Sequence, residues 1–250
     1  MTSAQTTRTS VEAQPALAGA IQLLVEETWP TYFQHAHTDP DDGRVDWGGL
    51  YRRWPHLQLA LLDGDRIIAS AHSAPLAWDG DPADLPAEGW DWAMRRSRDD
   101  RDAGRTPTTL CGLAVTIARD RQGEGLSRVM LKWMHAVARQ HGMERLIVPV
   151  RPSHKPRHPN TPMAEYATWT RDDGLPRDPW IRTHTRIGGR IVGPCDRAMC
   201  MIGTTQEWSQ WLGVDLPTDG EQVHPDLLAP LKLSGGIGRY TEPNLWIIHG

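Results

Sequence analysis

The residues best placed to do chemistry lie in a glycine-bearing turn, Gln122-Gly-Glu-Gly-Leu-Ser127. A short apolar segment, residues 109–115, precedes this turn, and apolar residues three and four apart follow it as far as Gly142. This pattern predicts a buried strand, a turn and a long amphipathic helix. The first N–H groups of a helix have no backbone partner, and glycines allow close approach. The turn is therefore suited to binding a phosphate-bearing ligand.

The turn matches neither of two common phosphate-binding motifs. It lacks the Gly-Lys-Ser/Thr ending of a P-loop, and Arg128 stands where a dinucleotide fingerprint has its third glycine. The turn alone thus predicts an anion site without identifying the anion.

Two histidine pairs have the nominal spacing of metal ligands. They are His35 with His37 and His154 with His158. Pro156 would break a helix that brought the second pair onto one face, and no cysteine joins either pair. We therefore expect no metal site.

Composition limits the possible function classes. The chain has 250 residues and a formal net charge of −4, which gives no electrostatic reason to expect binding to nucleic acid or an anionic membrane. No apolar run approaches the roughly 20 residues of a membrane helix, and the polar N-terminus lacks a signal-peptide core. The 12 tryptophans against 1 phenylalanine predict a tryptophan-rich core or an aromatic-lined pocket.

The cysteines indicate a reducing compartment. Cys111, Cys195 and Cys200 form no disulfide framework, so we expect a cytoplasmic protein. Cys111 lies in the apolar segment before the turn, where a thiol is poorly accessible and a weak nucleophile.

The remaining pattern predicts the elements that position the turn. Towards the N-terminus we expect a helix ending before Pro30, a short helix capped by Asp46, and a hairpin turning at Asp63-Gly64. A charged helix over residues 90–102 is expected to lie over the sheet. The proline-rich stretch 151–182 is long for a loop, which favours a lid or one wall of a substrate pocket.

Further elements are predicted towards the C-terminus. They are a helix over residues 181–187, strands at 190–192, 198–203 and 245–249, and a helix with Thr204 and Glu207 as a capping box.

The turn also resembles a family motif. Gln122-x-x-Gly125-x-Ser127 is similar to the Q/R-x-x-G-x-G/A loop of the GNAT superfamily of acyl-CoA-dependent N-acyltransferases, with Ser127 in place of the usual Gly or Ala. The resemblance covers residues 66–192. The segments Val150-Arg-Pro-Ser153, Asp178-Pro-Trp180 and Glu242-Pro-Asn-Leu-Trp246 resemble a subgroup of GNAT-like proteins whose substrate this pattern does not identify.

The resemblance implies a fold and a domain plan. The fold is α/β, a GNAT fold with a mixed, mostly antiparallel sheet flanked by helices, a proline-rich insertion and a C-terminal extension. We expect a disordered tail at 1–14, an acyltransferase domain at 15–205, and a C-terminal extension at 206–250 packed on the same domain.

The resemblance also implies how coenzyme A binds. The loop amides would hold the CoA pyrophosphate, and the preceding strand would follow the pantetheine arm and supply N–H groups to a developing oxyanion. The carboxylate of Glu124 would oppose pyrophosphate and is expected to face solvent. The expected CoA contacts are Leu113, Ala114, Val115, Gln122, Gly123, Glu124, Gly125, Leu126 and Ser127.

The family's usual proton donor is missing. Alignment on Gly188 places His184 where the family has a tyrosine, and Arg177 where it often has an asparagine. His184 could protonate the leaving thiolate or contact substrate, Tyr166 is a second candidate acid, or no dedicated acid is needed. His72 is a candidate base, and the alternative is a structural strand histidine.

The resemblance implies direct transfer of an acetyl or other small acyl group from acyl-CoA to the amine of a small molecule, in a ternary complex, and we expect no metal to take part. Two alternatives stay open. The protein could act on an acyl-CoA or carrier-protein thioester by other chemistry, such as decarboxylation, or it could bind CoA without catalysis. We expect a monomer or a homodimer.

Overall fold

A mixed sheet forms the centre of the computed structural model, which describes residues 6–35, 38–39 and 43–250. The strands are β1 Thr6–Ser10, β2 Thr38–Asp39, β3 Gly43–Arg44, β4 Leu59–Asp63, β5 Arg66–Leu76, β6 Thr109–Ile117, β7 Arg145–Val150, β8 Arg190–Thr204, β9 Gly220–Gln222, β10 Leu231–Ser234 and β11 Ile237–His249. The helices are α1 Leu17–Thr28, α2 Tyr32–His35, α3 Gly48–Arg53, α4 Gly89–Asp102, α5 Leu126–Gln140, α6 Met163–Tyr166, α7 Pro179–Arg186 and α8 Thr205–Leu212.

The strand order confirms the predicted mixed, mostly antiparallel sheet. It runs β1-β4-β5-β6-β7-β11-β10-β9, and β8 also pairs with β11. The β6–β7 pair is parallel, and the other paired strands of this sheet are antiparallel. Strands β2 and β3 form a separate short ladder.

The parallel pair is short. Strand β6 pairs with β7 only between Thr109–Cys111 and residues 145–147, although β6 continues to Ile117 and β7 to Val150. Beside the separation point, a Cβ on Gly112 would lie 3.1 Å from atoms of both Met134 and Val148. Beyond these three pairs the two strands diverge and leave a gap in the middle of the sheet.

Helix α5 is held against the sheet by its apolar face. Met130, Leu131, Met134 and Val137 are buried, as the three- and four-residue spacing predicts. Helix α4, predicted as a charged helix over residues 90–102, buries Trp90 and contacts the sheet through β8 and β5.

The N-terminal expectation is wrong from residue 6 onward. Thr6–Ser10 form β1, which pairs with β4 and covers its edge. Buried Val11 then packs with Ile21 and anchors this segment. Residues 1–5 lie outside the described part of the chain.

The C-terminal segment is part of the sheet rather than an extension packed on it. Strand β11 pairs with β7 along 245–249 and with β8 along most of its length. Its first half was not predicted because Gly238 and Pro243 interrupt the strand pattern. Pro243 is accommodated at a register shift between Glu242 and Asn244, where a missing N–H is tolerated.

The capping box of α8 is confirmed and provides a test of the fold. The Thr204 hydroxyl accepts a hydrogen bond from the Glu207 N–H at 3.2 Å, and Glu207 Oε2 accepts one from the Thr204 N–H at 2.7 Å. We expect Thr204→Ala to lower the free energy of unfolding by about 1 kcal/mol, measured by urea titration. Thr106→Ala, at an exposed loop position, is the control. Equal midpoints for the two variants would show that the cap does not stabilise α8.

Candidate active site

A cleft of about 1090 Å³ lies where β6 and β7 separate. Residues 112–117 of β6 form one wall and residues 148–150 of β7 the other. Helices α1, α5 and α7 also contribute residues. The cleft is large enough for an extended ligand.

Backbone groups dominate the β6 wall. Beyond Cys111, the β6 edge that faces β7 has no strand partner in the described part of the chain, so its peptide groups are available to a ligand. A register shift opposite His72 and Ser73 leaves Leu113 as an extra residue in β6. The Leu113 carbonyl accepts a hydrogen bond from Trp90 Nε1 at 3.0 Å, which fixes this bulge.

The predicted phosphate turn opens into the same cleft. Gly123 and Gly125 have φ angles of 87° and 78°, a left-handed conformation that favours glycine. Helix α5 starts immediately after Gly125, and no side chain of the described residues caps its first turn. The turn residues that line the cleft are Gln122, Gly123, Gly125, Leu126 and Ser127.

Glu124 is turned away from the cleft and paired. Arg121 donates from Nε to Glu124 at 2.8 Å and from Nη1 to Asp63 at 2.8 Å. Arg66 holds Asp120 through two hydrogen bonds. These contacts fasten the turn to the β4–β5 hairpin and compensate the charge of Glu124.

His72 lies behind the cleft wall. It is fully buried, its Nε2 lies 2.8 Å from the Tyr51 hydroxyl, and its ring packs 4.8 Å from the ring of Trp47. Burial lowers the pKa of His72 to about 3. Trp47 lines the cleft and His72 does not, so His72 supports this wall from behind.

His184 likewise lies behind the residues that line the cleft. It is fully buried, with Nδ1 2.9 Å from Nε2 of His249 and its ring 4.4 Å from the ring of Trp180. Burial, and then the neighbouring His249, lower its pKa well below the ordinary value. Trp180 and Thr183 of the same helix line the cleft, whereas His184 faces the sheet side.

Tyr166 is placed outside the cleft by its partner. Its hydroxyl donates to Asp178 at 2.9 Å. Asp178 caps α7 by accepting from the N–H groups of Trp180 and Ile181, and it also accepts from the His154 N–H. Tyr166 thus ties the proline-rich segment to the start of α7.

The tryptophans occur in both predicted environments, the core and the pocket lining. Trp208 and Trp246 are buried in the core. Four other tryptophans line the cleft: Trp29, Trp47, Trp90 and Trp180.

Arg151 and Asn244 are two polar residues of the cleft lining for which the sequence patterns predicted no role. Arg151 directly follows the apolar strand β7, and Asn244 directly precedes the apolar run 245–248 of β11. These positions could have identified both residues, because a polar residue next to a buried apolar run requires a hydrogen-bond partner.

No group of three or more potential metal-binding side chains occurs in the described ranges, and His37 lies outside them. None of the helices described there is long and apolar enough to span a membrane.

A protein relative supplies a functional comparison. The chain is 30% identical over 220 residues to the arginine N-acetyltransferase avaD of Aspergillus versicolor, covering 77% of this chain and 75% of the relative. The sequence matches no family model.

Two solved structures share the fold. The loading GNATL domain of CurA from Lyngbya majuscula aligns with a TM-score of 0.65 and 16% identity, covering 98% of this chain and 97% of that one. The GphF GNAT-like decarboxylase in complex with isobutyryl-CoA aligns with a TM-score of 0.58 and 17% identity, covering 98% of each chain. Identities this low show similarity of fold only.

The buried histidines predict how stability depends on pH. Burial, and then His135, lower the pKa of His249 to about 4, against about 6.5 in an unfolded chain. Between these values the unfolded state binds more protons, so stability falls as the pH drops from about 6.5 towards 4, by up to about 1.4 kcal/mol per pH unit for each such histidine.

We expect His249→Gln to reduce this slope, because the variant has one fewer group to protonate on unfolding. Urea titrations at pH 4.5, 5.5 and 6.5 measure it, and exposed His141→Gln is the control. A slope equal to that of the unmodified protein would mean that His249 is not held neutral in the folded state.

Proposed function

Because the chain belongs to the GNAT superfamily of acyl-CoA-dependent N-acyltransferases, we propose that it transfers an acetyl or other small acyl group from acyl-CoA directly to an amine of a small molecule. One observation carries the proposal. The unpaired edge of β6 and the uncapped first turn of α5 open into a single cleft, which suits a ligand with a long polar arm and a pyrophosphate.

The proposed reaction uses these groups in order. The amides of the turn hold the CoA pyrophosphate, and the free edge of β6 pairs with the pantetheine arm. The amine nitrogen attacks the thioester carbonyl carbon, and β6 N–H groups near Leu113 stabilise the oxyanion. The carbon–sulfur bond then breaks, and its electron pair leaves with sulfur as the CoA thiolate. The proton lost by the amine converts this thiolate to the thiol.

We assign supporting roles to the three candidate acid–base residues. His72 positions Trp47, His184 positions Trp180, and Tyr166 holds Asp178 at the start of α7. Each side chain is buried beside a cleft residue or a helix cap rather than in the cleft lining, so proton transfer through water in the cleft suits this geometry better.

We propose a basic amino acid as the acceptor, with arginine first because the relative is named for it. Among the residues that the structure describes, the acidic ones that line the cleft are Glu26 and Asp46. Asp46 already pairs with Arg52 and Arg53, whereas Glu26 receives a hydrogen bond from the neutral amide of Gln22. Glu26 is therefore the group that would pair with a cationic acceptor side chain.

A second candidate is chemistry on the thioester itself, with the donor on CoA or on a carrier protein. The Arg151 guanidinium lines the cleft and could hold the carboxylate of a malonyl group. The observation favouring it is this cation, and loss of carboxyl from malonyl-CoA without an amine is its signature.

The proposed pyrophosphate site can be tested by placing a large side chain in the turn. We expect Gly125→Trp to weaken CoA binding by about 100-fold or more, because it displaces hydrogen bonds to charged phosphate worth about 1.5–3 kcal/mol each. Calorimetry with CoA and thiol release from acetyl-CoA measure the effect. Gly174→Trp is the matched control for Gly125→Trp, because Gly174 has a φ of 74° in an exposed turn outside the cleft lining. Undiminished CoA binding by Gly125→Trp would place the pyrophosphate elsewhere.

The acceptor assignment can be tested at Glu26. We expect Glu26→Gln to lower the preference for arginine over citrulline, its neutral analogue, by about 5-fold in kcat/KM, the upper range for an exposed ion pair. Glu27→Gln changes the same charge at the next residue, which is exposed and outside the cleft lining. If both variants keep the original preference, Glu26 does not contact the acceptor.

A further inference from the structure

Two polar side chains on neighbouring strands line the cleft with hydrogen-bonding capacity left unused. They are Arg151, which follows β7, and Asn244 on β11. Leu245 pairs with Val150 in the antiparallel ladder, which brings Asn244 next to Arg151. The Asn244 amide confirms this proximity, since it donates to the Pro149 carbonyl at 3.2 Å.

Hydrogen bonds hold two of the three guanidinium nitrogens of Arg151, Nε and Nη2. Its Nε donates to both carboxylate oxygens of Glu242, at 3.0 and 3.1 Å. Its Nη2 donates to the Tyr32 hydroxyl at 3.1 Å and to the Asp226 carbonyl at 2.7 Å. The ring of Phe33 lies 5.4 Å from the guanidinium carbon. Within the described residues, Nη1 has no hydrogen-bond partner, and the side chain is 19% exposed.

The carboxylate of Glu242 is committed to holding Arg151 in place. It is fully buried and also accepts from the Tyr240 hydroxyl at 3.0 Å. That hydroxyl in turn accepts from the Leu228 N–H at 2.8 Å. The arginine is therefore preorganised, and its free Nη1 can donate to a ligand without rearrangement.

Asn244 leaves an acceptor in the same place. The residue is fully buried and its Oδ1 has no partner among the described residues. Because the neighbouring Pro149 carbonyl can only accept, the amide nitrogen must face it, which directs Oδ1 elsewhere. Leaving a buried carbonyl oxygen without a partner is unfavourable, so a ligand N–H is the natural complement.

We propose that Arg151 and Asn244 bind the carboxylate and the α-amine of a free α-amino acid, and that this α-amine is the acyl acceptor. A cationic donor beside a neutral acceptor matches these two groups, which an α-amino acid carries on one carbon. The α-amine meets the neutral Oδ1 of Asn244, since the carboxylate of Glu242 is held by Arg151 and Tyr240. That arrangement favours the uncharged amine needed for attack. This inference rests on the proposed function.

Substrates alone provide the first test. Thiol release from acetyl-CoA is measured with arginine, lysine and their decarboxylated counterparts agmatine and cadaverine. We expect kcat/KM for each amino acid to exceed that for its counterpart by about 30-fold, the value of a charged hydrogen bond near 2 kcal/mol. Product analysis by NMR should place the acetyl group on the α-nitrogen. Equal rates, or acetylation elsewhere on the amino acid, overturn this inference and leave acyl transfer standing. No acetylation of any amine overturns the proposed function as well.

A paired variant provides the second test, because Arg151→Gln alone would leave Glu242 buried without its counterion. We expect the double variant Arg151→Gln, Glu242→Gln to reduce the preference for arginine over agmatine to less than about threefold. The double variant Arg197→Gln, Glu88→Gln removes another arginine–glutamate pair, one that lies outside the cleft lining, and should keep the preference.

Malonyl-CoA separates the two possible carboxylates. We expect no loss of carboxyl from malonyl-CoA that depends on the Arg151–Glu242 pair. If decarboxylation occurs without an amine and disappears in the double variant, Arg151 serves the acyl donor and the inference is wrong.

Discussion

The short parallel pairing of β6 with β7 is the constraint on which the rest of the structure depends. Only three residue pairs join the strands, beginning at Thr109 and Arg145, before they separate. A closed sheet at this point would leave no room for a ligand and no free backbone edge. Strand β11 keeps the separated β7 in the sheet by pairing along its other edge. The gap is thus stabilised from outside rather than by contacts across it.

Buried polar contacts fix the walls of that gap. The Arg151–Glu242 pair, the His184–His249 pair and the His72–Tyr51 contact all lie next to cleft residues. Burying such groups is unfavourable unless they are paired, so each contact restricts a wall to one arrangement. A rigid apolar and aromatic cleft with a few unused polar atoms is well suited to positioning two substrates for direct transfer.

The sequence predicted the features that rest on local patterns. The turn at 122–127, the α5 helix and the α8 capping box depend on residues close together in the chain, and all three were found as predicted. The acceptor side was not predictable in this way. Arg151 and Glu242 are 91 residues apart, and their pairing arises only when β7 and β11 meet in the sheet. The role of His184 was inferred from alignment, which does not report that its side chain is turned towards His249.

The central claim is that this cleft binds an acyl-CoA and delivers its acyl group to an amino acid. Native mass spectrometry of the intact chain with acetyl-CoA tests it most directly, followed by addition of L-arginine to the same sample. The account predicts one acetyl-CoA bound per chain, and then its conversion to CoA with release of acetylated arginine. A chain that retains no CoA, or a bound acetyl-CoA that survives unchanged with arginine present, would contradict it.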